Sequence, residues 1–432
     1  MAQWRARCNK PYLGASTRDE VLPRRSRFRG EGGMDSGGSW KALRGNARIL
    51  AGGFLAFFFL NILNSSYSVV MALIKEDLAL SYTMSGALMS AYFAGYTMGQ
   101  IPWGLLADRH GSRKVMASSI LGIACATLLF GRSTIFWHAA ATRFLSGLLG
   151  AGVFVPAVRL VSGWFPAESR GTALGILSIG GSFGLVSASW LAPYAATQLG
   201  WRTTITVFGL LGVASSAPIY IALRDKPGQV SSPSLLQDIG ELALTRSFWA
   251  LALVQMVRLG SNYAFIAWLP LLLQEEFGLG LVAAGAAFSL FNLSGMVSNP
   301  MGGVFSDRLG ERGVLAASFA LLGLSVFSLT FIKGGAALYG AIIAIGWFIN
   351  FVRSPSFAVI PRLYGVERAG KVSGLQNTFA SFGALVLPLF LGYVRDATAS
   401  YWAGWTVLSA LLFLVAGLNL LLVPEKESNL VS

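Results

Sequence analysis

A chain of 432 residues with 54% hydrophobic and only 12% charged residues, and a mean hydropathy of +0.61, is too apolar for a water-soluble domain. It reads as a polytopic membrane protein. The 33 Lys and Arg outnumber the 19 Asp and Glu, but they fall in a terminal tail and in short loops, where they orient a membrane protein; this argues against a nucleic-acid partner.

In chain order, residues 1–47 form a basic tail. Arg5, Arg7, Lys10, Arg18, Arg24, Arg25, Arg27, Arg29, Lys41 and Arg44 lie among Gly and Ser without apolar periodicity, so disorder is expected. Asp19, Glu20, Glu31 and Asp35 argue against a transit peptide, and the first apolar run is too long for a signal-peptide core. Met34 offers an alternative start. Twelve runs long enough to cross the hydrocarbon follow, at 49–74, 84–107, 114–132, 136–163, 171–197, 203–223, 247–273, 281–306, 313–332, 336–361, 371–394 and 402–423. They are continuous rather than alternating, so the expected fold is an all-α membrane protein, not a barrel. Residues 48–223 and 247–424 form two six-helix units, joined by a linker at 224–246 and followed by a short tail at 425–432. Lys and Arg concentrate in the loops on the tail's side, including Arg109, Arg113, Lys114, Arg170, Arg308, Arg312, Arg362 and Arg368. The other side holds Lys75, Arg132, Lys333 and little else. Both termini are therefore expected in the cytoplasm. Cys8 and Cys125 offer neither a disulfide framework nor a metal site.

One loop recurs. Gly104-Leu-Leu-Ala-Asp108-Arg109-His110-Gly111-Ser-Arg113-Lys114 follows the second run, and Gly303-Val-Phe-Ser-Asp307-Arg308-Leu309-Gly310 follows the eighth. Gly104 and Gly303, Asp108 and Asp307, and Gly111 and Gly310 are each 199 residues apart, as are Pro156 and Pro355, Gly171 and Gly370, and Gly175 and Gly374. A gap-free register over these landmarks indicates two copies of one unit. Each Asp stands at a helix end, where a carboxylate can face a neighbouring helix N-terminus, and the glycines permit the reversal. Arg113 and Glu168 share that surface and could pair.

Twelve runs in two halves, with Gly-x-x-x-Asp-Arg-x-Gly-x-Arg-Lys after the second, resemble the major facilitator superfamily over residues 48–424. Arg143-Phe-Leu-Ser-Gly147 resembles that family's Arg-x-x-x-Gly signature, and Trp164-Phe-Pro-x-x-x-Arg170-Gly171 its loop after the fourth helix. The resemblance implies two bundles rocking around a midplane site lined by spans one, four, seven and ten. It implies a latch of Gly104, Asp108, Arg109, Gly111, Arg113 and Glu168, with Asp307, Arg308 and Gly310, that holds the cytoplasmic side closed. The second copy has Glu311-Arg312-Gly313 in place of Ser-Arg-Lys, which weakens its part. Arg143 corresponds to the family's structural arginine.

Charge at membrane depth is costly and points to function. Arg258 lies near the middle of the seventh run and Arg353 well inside the tenth, while Phe59 and Phe154 hold the same places in the first copy. No Asp or Glu lies within the twelve runs, so two guanidinium groups lack a protein counter-ion and a small anionic solute is the natural partner. Members of the resembled family that carry organophosphates or dicarboxylates also place cations in the cavity. Phe59 and Asn61 stand where organophosphate exchangers have a first-helix arginine, which argues against a phosphate ester. Asn61, Tyr92, Tyr96, Asn262, Asn292, Asn350 and Asn377 could complete the site, or make interhelical hydrogen bonds. Arg159 lies close enough to the cytoplasmic end to snorkel.

No nucleophile elbow, metal set or phosphate-binding glycine loop is present, so neither an enzyme, an ATP-driven pump nor a cofactor is expected. Protein-borne proton coupling would need an Asp, Glu or His at depth, and Arg cannot supply it. Exchange of anions is therefore favoured. The alternatives are a proton-driven exporter of neutral or cationic compounds and a non-transporting solute sensor. The expectation is a monomer in a bacterial inner membrane.

Overall fold

The computed structural model describes residues 43–226 and 245–422, apart from the side chains of residues 167–168, 246 and 366–371. Most of the basic tail, residues 227–244 of the linker and the final tail lie outside the described residues. All described regular elements are helices, and ten are long and apolar enough to cross a membrane. One of these, Ser169–Ala222, is two spans, because Gly200 at φ 76° turns the chain back. Tyr82–His110 is 29 residues long but too rich in Ser, Thr, Tyr and Gln to rank with the ten. With both counted, the crossings number twelve.

The repeat is written into the backbone. Left-handed residues occur in pairs 199 apart: Ala79 (φ 49°) with Gly278 (63°), Gly111 (85°) with Gly310 (85°), and Gly200 (76°) with Ala399 (53°). Each sits where one helix ends and the next reverses, which requires a conformation that glycine enters without steric cost. The fourth span breaks between Phe136–Gly150 and Phe154–Trp164, and the tenth between Ala336–Phe351 and Arg353–Tyr364, again at matched places.

Packing follows the same symmetry. The first span, Ala47–Val69, lies along Ala167–Ala222, as the seventh, Arg246–Glu275, lies along Val366–Thr398. The second span packs on the fourth as the eighth, Leu281–Leu309, packs on the tenth; the third packs on the sixth as the ninth packs on the twelfth. Gly147 and Gly346 are 199 apart and explain the second pairing. A Cβ on Gly147 would strike the Tyr92 carbonyl oxygen, and one on Gly346 the Phe291 carbonyl oxygen. The helices approach backbone to backbone there, as small residues allow in membranes.

Spans two and eleven, and five and eight, carry the main contact between the halves. On the face away from the termini this contact is a polar seal. The Asp396 carboxylate, at the end of the eleventh span, accepts from the backbone N–H groups of Tyr82 (3.0 Å) and Thr83 (2.7 Å) and so caps the second span of the other half. Glu275 pairs with Lys75 at 3.3 Å and accepts from the hydroxyls of Tyr82 and Tyr401, each at 2.7 Å. Helices that run to Glu275 and Asp396 thus bring carboxylates into the ends of spans that sequence limits left apolar.

Candidate functional site

Arg258 and Arg353 come from different spans to the same depth. At ~1.5 Å per residue they stand about 18 Å and about 17 Å from the termini-side ends of their spans, near the middle of a ~30 Å core. Arg258 is buried at 5% exposure. Its Nε donates to Gln255 Oε1 at 2.7 Å, and its guanidinium lies 5.5 Å from the Phe357 ring centroid. Arg353 opens the second part of the broken tenth span and is exposed. It nevertheless lies within electrostatic reach of Arg258 and Tyr263 on the seventh span and Tyr96 on the second. Neighbours on spans of both halves place its side chain between the halves rather than on the lipid face. Among the described residues, neither arginine has an ion-pair partner.

An aromatic layer covers the cations on the sealed side. Tyr263 meets Phe93 edge-on at 4.3 Å, Phe93 meets Tyr96 at 6.0 Å, and Tyr96 stacks on Tyr92 at 6.1 Å. By helix rise these rings lie about 4–10 Å further from the termini than the guanidinium groups. The two arginines therefore lie on the termini side of this aromatic layer. Sequence reasoning missed Tyr263. Its placement one and a half turns beyond Arg258 was the available signal.

Arg143 belongs to a separate constellation. It is buried at 3% exposure, with its guanidinium 3.8 Å from the Tyr67 ring centroid and 4.8 Å from that of Tyr92. It donates to Asn64 Oδ1 at 2.8 Å and to the Asn64 carbonyl at 3.4 Å, tying the fourth span to the first. Two faced rings and two carbonyl-type acceptors offset part of the desolvation of a cation that has no carboxylate partner among the described residues.

Several amides turn to their own helices. Asn61 donates to the Phe57 carbonyl at 2.9 Å, Asn350 to the Gly346 carbonyl at 3.0 Å, and Asn292 to the Phe288 carbonyl at 3.1 Å. Asn292 also reaches Ser189 on the fifth span at 3.5 Å, within the contact between halves. Asn262 and Asn377 are half-buried, and the Asn377 carbonyl accepts from Ser381 at 3.0 Å.

At the termini-side loops, Asp108 pairs with Arg159, so Arg159 is held by a carboxylate rather than simply snorkelling. Arg113 is held by the end of the sixth span: its Nε donates to the Tyr220 carbonyl at 2.7 Å, its backbone N–H donates to Asp225 at 3.0 Å, and it covers the Tyr220 ring at 3.9 Å. The side chain of Glu168 lies outside the described residues. A Cβ on Gly111 would strike the Asp225 carboxylate. Gly104 is half-buried and Arg109 exposed. In the second copy Asp307 and Arg308 are exposed and Gly310 is buried. There Glu311, which replaces the first copy's serine, pairs with Arg362.

The profile of the Major Facilitator Superfamily matches residues 50–388 and, in a second match, 251–431. The chain is 27% identical over 367 residues to the probable galactarate/D-glucarate transporter GudP of Bacillus subtilis, covering 76% of this chain and 81% of that one. It is 26% identical over 399 residues to the probable sulfoacetate transporter SauU of Cupriavidus necator, covering 86% and 92%. A bacterial homologue of the human lysosomal transporter Spinster, solved inward-facing and unoccupied, superposes with a TM-score of 0.75 at 16% identity, covering 88% of this chain and 97% of that one. Twelve crossings, a backbone repeat at an offset of 199 residues and a profile match over most of the length lead to one assignment: the chain belongs to the Major Facilitator Superfamily.

Proposed function

We propose that this protein is a secondary transporter that moves a small organic anion by alternating access, in exchange for another anion. The observation that carries the reading is the pair Arg258 and Arg353, at one depth, within each other's field and without a carboxylate partner among the described residues. An anion with two charged ends satisfies both guanidinium groups. Tyr96 and Tyr263 offer hydroxyls beside them. The names of the relatives, for galactarate, D-glucarate and sulfoacetate, fall in the same chemical class.

Exchange follows from the cost of the empty state. Two uncompensated cations in a closed, dry intermediate are strongly disfavoured, and a bound anion removes that penalty. The halves, 48–223 and 247–424, rock about the site, and both termini face the cytoplasm. The loops at Gly104, Asp108, Arg109, Gly111 and Arg113, with Glu168, and at Asp307, Arg308 and Gly310, brace the termini side when it closes. The functional unit is the monomer.

The test is counterflow in proteoliposomes preloaded with D-glucarate, sulfoacetate or D-galactonate. Arg258→Gln and Arg353→Gln should each abolish exchange while the protein remains inserted and monodisperse. Normal transport by either variant refutes the site. Full-rate accumulation of a non-protonatable anion by empty vesicles under a pH gradient refutes the exchange.

A further inference from the structure

Gln255 is fully buried at 0% exposure, one turn before Arg258 on the seventh span. Its carboxamide joins both arginines to one frame. Oε1 accepts from Arg258 Nε at 2.7 Å, Nε2 donates to the Ser356 carbonyl at 3.3 Å, and the Ser356 hydroxyl donates to the Arg353 carbonyl oxygen at 2.8 Å. The chain of contacts therefore runs from one cation, through Gln255, to the backbone turn that carries the other. Arg258 uses only Nε in this contact. The amide fixes the plane of the guanidinium and leaves its two terminal nitrogens for a ligand, in the fork geometry that suits a carboxylate.

The architecture does not require this amide. The positions 199 residues earlier are Ala56 for Gln255, Phe59 for Arg258, Phe154 for Arg353 and Ala157 for Ser356. Ala56 and Ala157 are each 0% exposed. In the first half both positions belong to one buried apolar cluster, and the polar frame is particular to the half that carries the cations. The choice of an amide also matters electrically. A buried glutamate at this position would be a counter-ion to Arg258, whereas glutamine orients the group and leaves its charge for the solute.

We propose that Gln255 is a positioning residue of the anion site, which aims Arg258 and sets the preference for a doubly charged solute by leaving that arginine uncompensated. The proposal rests on the anion-exchange reading. Its test compares KM and maximal exchange rate for D-glucarate, a dianion, and D-galactonate, a monoanion, in wild type, Gln255→Glu, Gln255→Leu and Arg258→Gln. Thermal midpoints in detergent are measured alongside. Because attraction scales with ligand charge, Gln255→Glu should raise the KM for glucarate by about tenfold or more and that for galactonate several-fold less, collapsing the ratio between them. Gln255→Leu keeps the bulk but loses the aim, and should raise both KM values by a similar factor with the charge preference kept.

A purely structural role for Gln255 predicts lower yield, midpoint or maximal rate with both KM values unchanged, and that result overturns the proposal. Should Gln255→Glu fail to insert, unchanged KM values in Gln255→Leu overturn it equally. A wild type that exchanges neither acid removes the transport reading and this role with it. If wild type exchanges, Arg258→Gln does not and Gln255→Glu keeps the wild-type KM ratio, this role alone is removed.

Discussion

Replacing Asp396 by alanine should unseal the face away from the termini. The carboxylate accepts from Tyr82 N–H at 3.0 Å, Thr83 N–H at 2.7 Å and the Thr83 hydroxyl at 2.5 Å, all at the start of a helix in the opposite half. Charge-assisted hydrogen bonds in a dry site contribute about 1.5–3 kcal/mol each. Asp396 is exposed, so solvent screening lowers the whole cap to about 1–2 kcal/mol, the usual range for an N-cap with its dipole term. That energy exists only while the two halves touch, so removing it shifts the sealed–open equilibrium by a factor of about 5–30. The assay is alkylation of a single cysteine, Ser90→Cys, in a background with Cys8 and Cys125 replaced by serine. Ser90 is buried behind the seal and donates across the halves to the Leu385 carbonyl. A membrane-impermeant maleimide added from that side should react about 5–30 times faster when Asp396→Ala is present, in proportion to the open population. An unchanged rate, with insertion and monodispersity intact, would refute the idea that this cap holds the face closed.

Glu275→Gln should open the same face by a smaller factor, of about 2–5, because the tyrosine hydroxyls keep an acceptor and only the partly exposed Lys75 pair is lost; the same alkylation rate reads it. Gly147→Ala and Gly346→Ala should each lower stability by about 1–3 kcal/mol or more through backbone overlap, whereas Gly417→Ala, with nothing within 4 Å, should be neutral; thermal unfolding in detergent separates them. Asp108→Asn should cost no more than about 1 kcal/mol, since the Arg159 pair is partly exposed, and a larger loss of melting temperature would show that the pair is more deeply tied to the fold.

The sequence by itself determined the number of crossings and the repeat, because both rest on local chemistry. A span needs about twenty apolar residues whatever its neighbours, and a helix reversal needs a left-handed residue at one position. The offset read from Asp108 and Asp307 is therefore the offset of the backbone, visible in Ala79 with Gly278 and in Gly200 with Ala399. The depth of Arg258 and Arg353 is likewise a local reading, since helix rise converts residue number into distance along a span. Boundaries were less secure. Loop-ward helix turns carrying Glu275 and Asp396 read as exterior, because a charge near a span end is consistent with water, lipid headgroups or a partner alike.

Only the tertiary structure decided which polar groups meet. Rotation about each helix axis is set by packing against several neighbours, and a sequence of 3.6-residue turns does not encode the azimuth of one helix relative to another. The role of Gln255 comes from the placement of its amide between Arg258 and Ser356, which its position in the seventh span does not reveal. Tyr263 was marked only by its spacing from Arg258, and its contact with Phe93 on the second span came from the packing of the halves. Asn61, Asn350 and Asn292 had the same standing on paper, but in a medium without water an amide donor takes the nearest acceptor, the carbonyl one turn back on its own helix. The seal between Lys75 and Glu275, two residues 200 positions apart, depends on the two halves docking, which no local pattern records.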